Sequence, residues 1–373
     1  MVQLASEPYQ SEPRAKSKVA IGDYALIGDC RTAALVSLHG SIDWLCLPHF
    51  SGASVFAALL DEERGGRFVI CPAGAFQSTR RYLGPETTFT TSTGSARLID
   101  SMPIAEDVET LRPLREVLRI LEGIEGEVSF DVRWQPRPSY ARGGASIRSR
   151  GTLGWSCAWS DELFLLHSEA ALELRAAEKA VAGRVHVKEG RKWRFSLGYA
   201  KADIGVISPL GQEADDRAHS TLNWWESWSS QCAYDGPHDD AVIRSAITLK
   251  LMTFSLSGAV VAAPTTSLPE AIGSDRNWDY RYCWLRDAAL TMRAFTGLGF
   301  QDEARAFLQW LLHATRLTWP ELQVMYDVYG RTNPVERELD HLRGFRDSRR
   351  VRTATVHTPK CSLMFMAGCY SPR

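Results

Sequence analysis

The residues best able to do chemistry lie close together, between Ala262 and Ala288, in the stretch AAPTTSLPEAIGSDRNWDYRYCWLRDA. Arg276, Asp279, Arg281, Arg286 and Asp287 fall there among Trp278, Tyr280, Tyr282 and Trp284. A guanidinium offers a rigid fork of donors, and a carboxylate offers only acceptors. Side by side at the start of a helix, Arg286 and Asp287 suit the neighbouring hydroxyls of a sugar, and aromatic faces suit its C–H faces. The same residue types also build salt-bridge networks that hold buried loops, and composition by itself favours that reading. Twelve tryptophans, with Trp224, Trp225 and Trp228 in a second group, fit a carbohydrate surface. They also fit aromatic core packing, which is the better reading for any single one.

The bulk figures narrow the class of ligand. With 43 basic and 44 acidic residues the formal charge is −1, so no global field recruits nucleic acid or an anionic membrane. A neutral ligand fits this balance best. Eight cysteines form no C-x-x-C pair and have no zinc-ligand spacing with histidine, which predicts reduced, partly buried thiols. The chain has no phosphate loop, no strand-linked G-x-G-x-x-G and no G-x-S-x-G elbow, so no metal or cofactor is implied. The first twenty residues are polar, contain Pro8 and Pro13, and read as a disordered arm. With no apolar stretch of secretory or membrane-spanning length, the expected location is the cytoplasm.

The elements that must position the cluster change character along the chain. Residues from about 20 to 205 read as short strands. Ala34 to Leu38, His39-Gly40 and Ser41 to Cys46 suggest a hairpin. Val128, Phe130, Val132 and Trp134 alternate with polar residues, as do Phe195, Leu197 and Tyr199. An antiparallel sandwich over 21–210 is the expectation. Asp215 to Trp228 reads as a linking helix within 211–237. From 238 the period is helical, with Val242, Ile243, Ala246, Ile247 and Leu249 on one face. Leu285, Ala288, Ala289, Met292 and Phe295 form a second stripe, ended by Gly297. Ala304, Phe307, Leu308, Leu311 and Leu312 form a third, capped near Asp302. Three such helices cannot close a bundle, because each still needs a partner for its apolar face.

RNWDYRYCWLRDA, from Arg276 to Ala288, resembles the signature of glycoside hydrolase family 15, the glucoamylase and bacterial trehalase family. IGDYALIGDCRTAALVSLHGSIDWLCLP (Ile21 to Pro48) is similar to the opening of its bacterial members, and LDHLRGFRDSRRVR (Leu339 to Arg352) to a further family stretch. The resemblance covers about residues 20 to 352. It implies an N-terminal antiparallel β-sandwich followed by the first helices of an incomplete (α/α)6 barrel, at 238–352. It further implies inverting exo-hydrolysis of α-glucosidic bonds in trehalose or a glucose-containing oligosaccharide. By the same resemblance Arg286 and Asp287 bind hydroxyls of the non-reducing-end glucose, Trp284 lines that subsite, and Tyr280 stands near the catalytic water and base. Arg276, Trp278 and Asp279 belong to the supporting loop. Ser274 departs from the family, which usually has a second glycine after Gly273; a serine there is expected to crowd a tight turn.

Inverting hydrolysis needs an acid on the leaving oxygen and a base on a water. The resemblance implies that both are glutamates in later loops, expected downstream of Arg352. Trp225-Glu226 lies ahead of the barrel, and Glu321, Glu336 and Glu338 match neither catalytic motif, so no catalytic residue is assigned within the chain. The stretch from Thr353 fits neither period. It can be encoded so that reading two bases later gives GNGAHTQMQLDVYGG, which resembles the family continuation. A one-base frame change after Arg352 is therefore expected, and with it little or no turnover by this chain. The competing reading is a non-catalytic carbohydrate-binding or interaction protein, or the product of a disrupted gene.

Overall fold

The computed structural model describes residues 9–10, 19–81, 86–104, 111–320, 322–332 and 335–354. Most of the N-terminal arm, Glu321 and the stretch from Thr355 onward lie outside the described residues. The chain forms two compact units. One runs to Trp228; the other runs from Ser229 and also takes in Cys30–Ala33 and His49–Ser51. Among the described residues, no helix is long and apolar enough to cross a membrane.

The first unit is mostly antiparallel sheet, with sixteen strands linked by hydrogen bonds among the described residues. Those that matter here are β1 (Ala33–Ser37), β2 (Ser41–Leu47), β3 (Arg67–Pro72), β4 (Gln77–Arg81), β5 (Glu86–Thr91), β6 (Gly94–Ser101), β7 (Arg115–Gln135), β8 (Ala180–Lys188) and β9 (Lys192–Lys201). The expected hairpin is β1–β2. Gly40 closes its turn at φ +72, where an added Cβ would lie 2.2 Å from the Ile70 carbonyl oxygen, so the turn has room only for glycine.

The organising strand is β7, 21 residues long. Its first part pairs with β9 and β6, and its second with β8 and β3. The register shifts between Gly123 and Glu125, as expected where a bulge bends a strand. Val117 and Leu121 from the first part, and Val128, Phe130, Val132 and Trp134 from the second, enter one core with Phe68, Phe89, Phe195 and Leu197. The alternation read around 128–134 thus points its apolar side inward. In β9 the alternation fails, because Ser196 and Gly198 are buried as well. Helix α1 (Gln212–Ser229) accounts for part of this. Its Ala214 packs on Leu118 and Ile120, and its Asp215 takes both Nε and Nη2 of Arg194 at 2.8 Å.

The second unit holds helices α2 (Asp239–Leu251), α3 (Leu285–Leu298) and α4 (Gln301–Arg316). Three details differ from the sequence expectation. Helix α3 runs through Gly297 and ends at Gly299, which takes the left-handed conformation at φ +94. The Leu298 carbonyl accepts the Ala233 amide at 2.9 Å, so the longer helix has a partner for an otherwise orphan acceptor. Asp302 is not the cap of α4: the N-cap is Phe300, and Asp302 sits in the first turn, paired to Arg305 at 2.7 Å. The buried face of α4 is Glu303, Phe307, Trp310 and Ala314, roughly one residue round from the predicted stripe. Phe307 and Trp310 offer the larger apolar area, and Glu303 is satisfied by Lys250 at 2.8 Å. Leu308 and Leu312 are left exposed, as is Leu290 on α3.

Candidate functional site

The predicted loop folds as a short antiparallel ladder that delivers the chain to α3. β10 (Thr266–Pro269) pairs with β11 (Asn277–Asp279), and β12 (Cys283–Trp284) pairs with β13 (Met325–Tyr326). Trp284 is extended and is the N-cap of α3, with no side-chain cap. Asp287 lies in the first helical turn, where the helix dipole favours a carboxylate. The ladder is anchored from a distance. The Asn277 amide donates to the carbonyls of Ser348 and Arg350, each at 3.0 Å. β15 (Arg352–Thr353), paired to β14 (Arg337–Glu338), is held through Arg352. Its backbone N–H donates to Ser267 Oγ at 2.7 Å, and its carbonyl accepts from Thr266 and Ser267.

The alternating charges separate into two sets with opposite surroundings. Asp279 and Arg281 are buried, their side chains 0% and 1% exposed. Asp279 accepts from Arg281 Nε at 2.8 Å and Nη2 at 2.7 Å, from the Arg281 amide at 3.1 Å, and from the Ala354 amide at 2.9 Å. That pair is the loop-holding network considered from composition. Arg286 and Asp287 are the reverse case: they touch at 3.1 Å from Nη2 to Oδ2, with side chains 53% and 36% exposed. An ion pair so open to water is worth at most about 1 kcal/mol. Sugar hydroxyls can replace it with little loss, because the fork and the carboxylate keep their hydrogen bonds with a new partner.

An aromatic wall stands beside the open pair. The Arg286 guanidinium carbon lies 5.9 Å from the Trp284 ring centre, and the Tyr280 ring lies 6.1 Å from Trp284 at 44°. Trp284 belongs to a small core with Tyr282, Met325 and Ala354, against which Tyr280 packs. Burial, then the charges of Glu270 and Asp287, raise the Tyr280 hydroxyl above its ordinary value. Tyr280 therefore stays neutral, able to donate and to accept. Burial pushes the neighbouring Cys283 thiol up to about 12, so no thiolate nucleophile stands here.

The structure thus groups Tyr280, Trp284, Arg286 and Asp287. Trp278 lies to one side, its indole N–H donating to Glu270 at 3.2 Å and the Arg352 guanidinium carbon 5.5 Å from its ring centre. Arg276 is exposed and reaches Glu270 at 3.6 Å. Ser274 does not crowd its turn: the left-handed residue is Gly273, at φ +82, and Ser274 is not among the positive-φ positions. Glu336 and Glu338 face Arg352 and Arg350 at 3.4 and 3.1 Å. Arg352 and Ala354 were not read as neighbours of the cluster. Ala354 meets Asp279 through a backbone amide, which leaves no trace in side-chain type.

A family model for glycosyl hydrolases family 15 matches residues 236–359, and a trehalase-like N-terminal model matches residues 14–171. The chain belongs to glycosyl hydrolase family 15. Curated relatives agree. A trehalase of Mycolicibacterium smegmatis is 33% identical across 93% of this chain and 56% of its own length. A trehalase of Thermoplasma volcanium is 32% identical across 88% of this chain and 52% of its own length. The chain therefore spans about half the length of these relatives. A bacterial glucoamylase solved with acarbose matches in fold, at a TM-score of 0.55 and 12% identity, over 87% of this chain and 54% of that one.

Proposed function

We propose that the chain carries the glucose-recognising part of a family 15 α-glucosidase, with trehalose as its first substrate and maltooligosaccharides as the second. Arg286 and Asp287 grip neighbouring hydroxyls of the non-reducing-end glucose, Trp284 lines that subsite, and Tyr280 stands near the water to be activated. The observation that carries this reading is the exposed Arg286–Asp287 pair at the start of α3 beside the Trp284 ring. The trehalase relatives favour trehalose.

The reaction served is inverting exo-hydrolysis: an acid protonates the leaving oxygen while a base activates water, across about 6.5–9.5 Å. Neither family glutamate motif is matched among the 373 residues, so the chain by itself binds sugar and turns it over little. In this reading the β unit is an antiparallel sandwich, the helices are the first of an (α/α)6 barrel, and the protein works in the cytoplasm.

Calorimetric titration of the full chain with trehalose and with maltose tests the proposal. A binding event that disappears in Arg286→Ala and Asp287→Ala is expected, with little or no glucose released. Binding unchanged in both variants would remove the clamp, and hydrolysis at the rate of a full-length relative would remove the claim of low turnover.

A further inference from the structure

A cleft of about 650 Å³ opens in the β unit, far along the chain from the clamp. It is lined by the loop after β3 (Gly74, Ala75, Phe76), by Gln77 of β4, by the end of β5 and the turn after it (Thr90 to Thr93), and by Val128 and Ser129 of β7. All of these belong to one compact unit. Three observations define what the cleft takes.

Its polar lining is hydroxyl and amide, from Thr90, Thr91, Ser92, Thr93, Ser129 and Gln77, and none of the lining residues is charged. Among the described residues, the lining itself offers an acidic ligand no lysine or arginine and a metal ion no carboxylate. Part of the hydrogen-bonding capacity is still open, at Ser129 and Gln77. A hydroxyl can donate once and accept twice. Ser129 Oγ contacts His186 Nδ1 at 3.0 Å, which leaves it an acceptor position, whereas Thr91 Oγ1 is engaged within its own turn, donating to the Gly94 carbonyl at 3.0 Å and accepting from the Thr93 amide at 3.2 Å. Gln77 has its backbone in register with Thr90 on one side and Gln10 on the other, so its exposed amide is not needed by the sheet.

The third observation is the ring of Phe76. It is fixed by edge-to-face contacts with Phe89, at 5.4 Å, and His39, at 6.1 Å. A held aromatic among uncharged hydroxyls and an amide is complementary to a molecule with C–H faces and many neutral hydroxyls. The volume is within the range of small-ligand sites, about 300–1,000 Å³.

We infer that this cleft is a second saccharide-binding site, specific for neutral oligosaccharides and separate from the Arg286–Asp287 clamp. The choice of ligand rests on the cleft's own lining, and its coupling to glucan or trehalose metabolism rests on the function proposed above.

The experiment is titration of the full chain with trehalose and with maltotriose, followed by amide NMR shifts and calorimetry. It compares the unaltered chain with Arg286→Ala, Phe76→Ala and Gln77→Glu. The inference expects one of the two sugars to keep a binding event in Arg286→Ala. That event should weaken about tenfold in Gln77→Glu or Phe76→Ala, which corresponds to about 1.4 kcal/mol. Gln77→Glu is an exposed change that spares the core, so it serves if Phe76→Ala fails to fold. If Arg286→Ala abolishes all binding and Gln77→Glu leaves it unchanged, the cleft site is overturned while the clamp stands. If residual binding survives in Arg286→Ala but ignores both cleft variants, the cleft is also overturned. Loss confined to the cleft variants, with Arg286→Ala like the unaltered chain, keeps the cleft and removes the clamp.

Discussion

Nε and Nη2 of Arg281 close on the two oxygens of Asp279 at 2.8 and 2.7 Å, with both side chains shut off from water. Five residues further on, Arg286 and Asp287 form the same kind of pair in the open. One chemistry in two environments makes opposite predictions.

Asp279→Ala strands a buried guanidinium and removes the acceptor for the Ala354 amide. Breaking a buried pair from one side costs about 3–5 kcal/mol. Urea unfolding followed by tryptophan fluorescence should show that loss. An unaltered midpoint would mean the pair does not hold the loop.

Arg286→Ala and Asp287→Ala should change stability by less than about 1 kcal/mol, since exposed pairs contribute little. Thermal melting of each variant beside the unaltered chain reads this directly. A large fall in melting temperature would assign the pair a structural role.

Tyr280 should titrate above the ordinary tyrosine value of about 10, because burial and then the charges of Glu270 and Asp287 oppose the phenolate. The sign follows: the stability tied to neutral Tyr280 is complete below the unfolded value and is lost as pH rises past it. A difference titration of phenolate absorbance against Tyr280→Phe isolates the group. Glu270→Gln should move it back down, and a Tyr280 that ionises at the ordinary value would contradict the packing described.

Asp215 shifts the other way, held down first by its hydrogen bonds to Arg194 and then by the Lys192 charge. Its contribution is present above the unfolded carboxylate value, about 3.9, and is lost as pH falls through the lower folded value. Asp215→Asn should therefore be less stable than the unaltered chain near neutrality, and the gap should shrink in acid. Denaturant midpoints at pH 7 and pH 3 measure it.

Gly299→Ala should destabilise α3 by about 1 kcal/mol, because the cap sits at φ +94, where a side chain is strained. Gly297→Ala, inside the helix, should be neutral or slightly stabilising. Melting temperatures of the pair of variants locate the true end of the helix.

Local signals carried much of this molecule. The β1–β2 hairpin, the inward alternation around Phe130 and the grouping of Tyr280, Trp284, Arg286 and Asp287 all depend on neighbours in sequence. The division of the charges did not show, because Asp279 is buried by contacts that include an amide 75 residues away. The buried face of α4 was misread for a similar reason. Lys250, on another helix, makes it possible to bury Glu303, and no pattern within α4 announces that. The cleft at Phe76 leaves no local signal because its walls come from three separated stretches, 74–77, 90–93 and 128–129, of ordinary small, polar and apolar residues.

The length of β7 has a bearing on how the β unit comes apart. One continuous strand is hydrogen-bonded to β6 and β9 near its start and to β3 and β8 near its end, and both parts feed the same core. Neither group of strands can therefore fray without exposing the backbone of the strand it shares with the other. The amide protons along the two parts of β7 should open to solvent together.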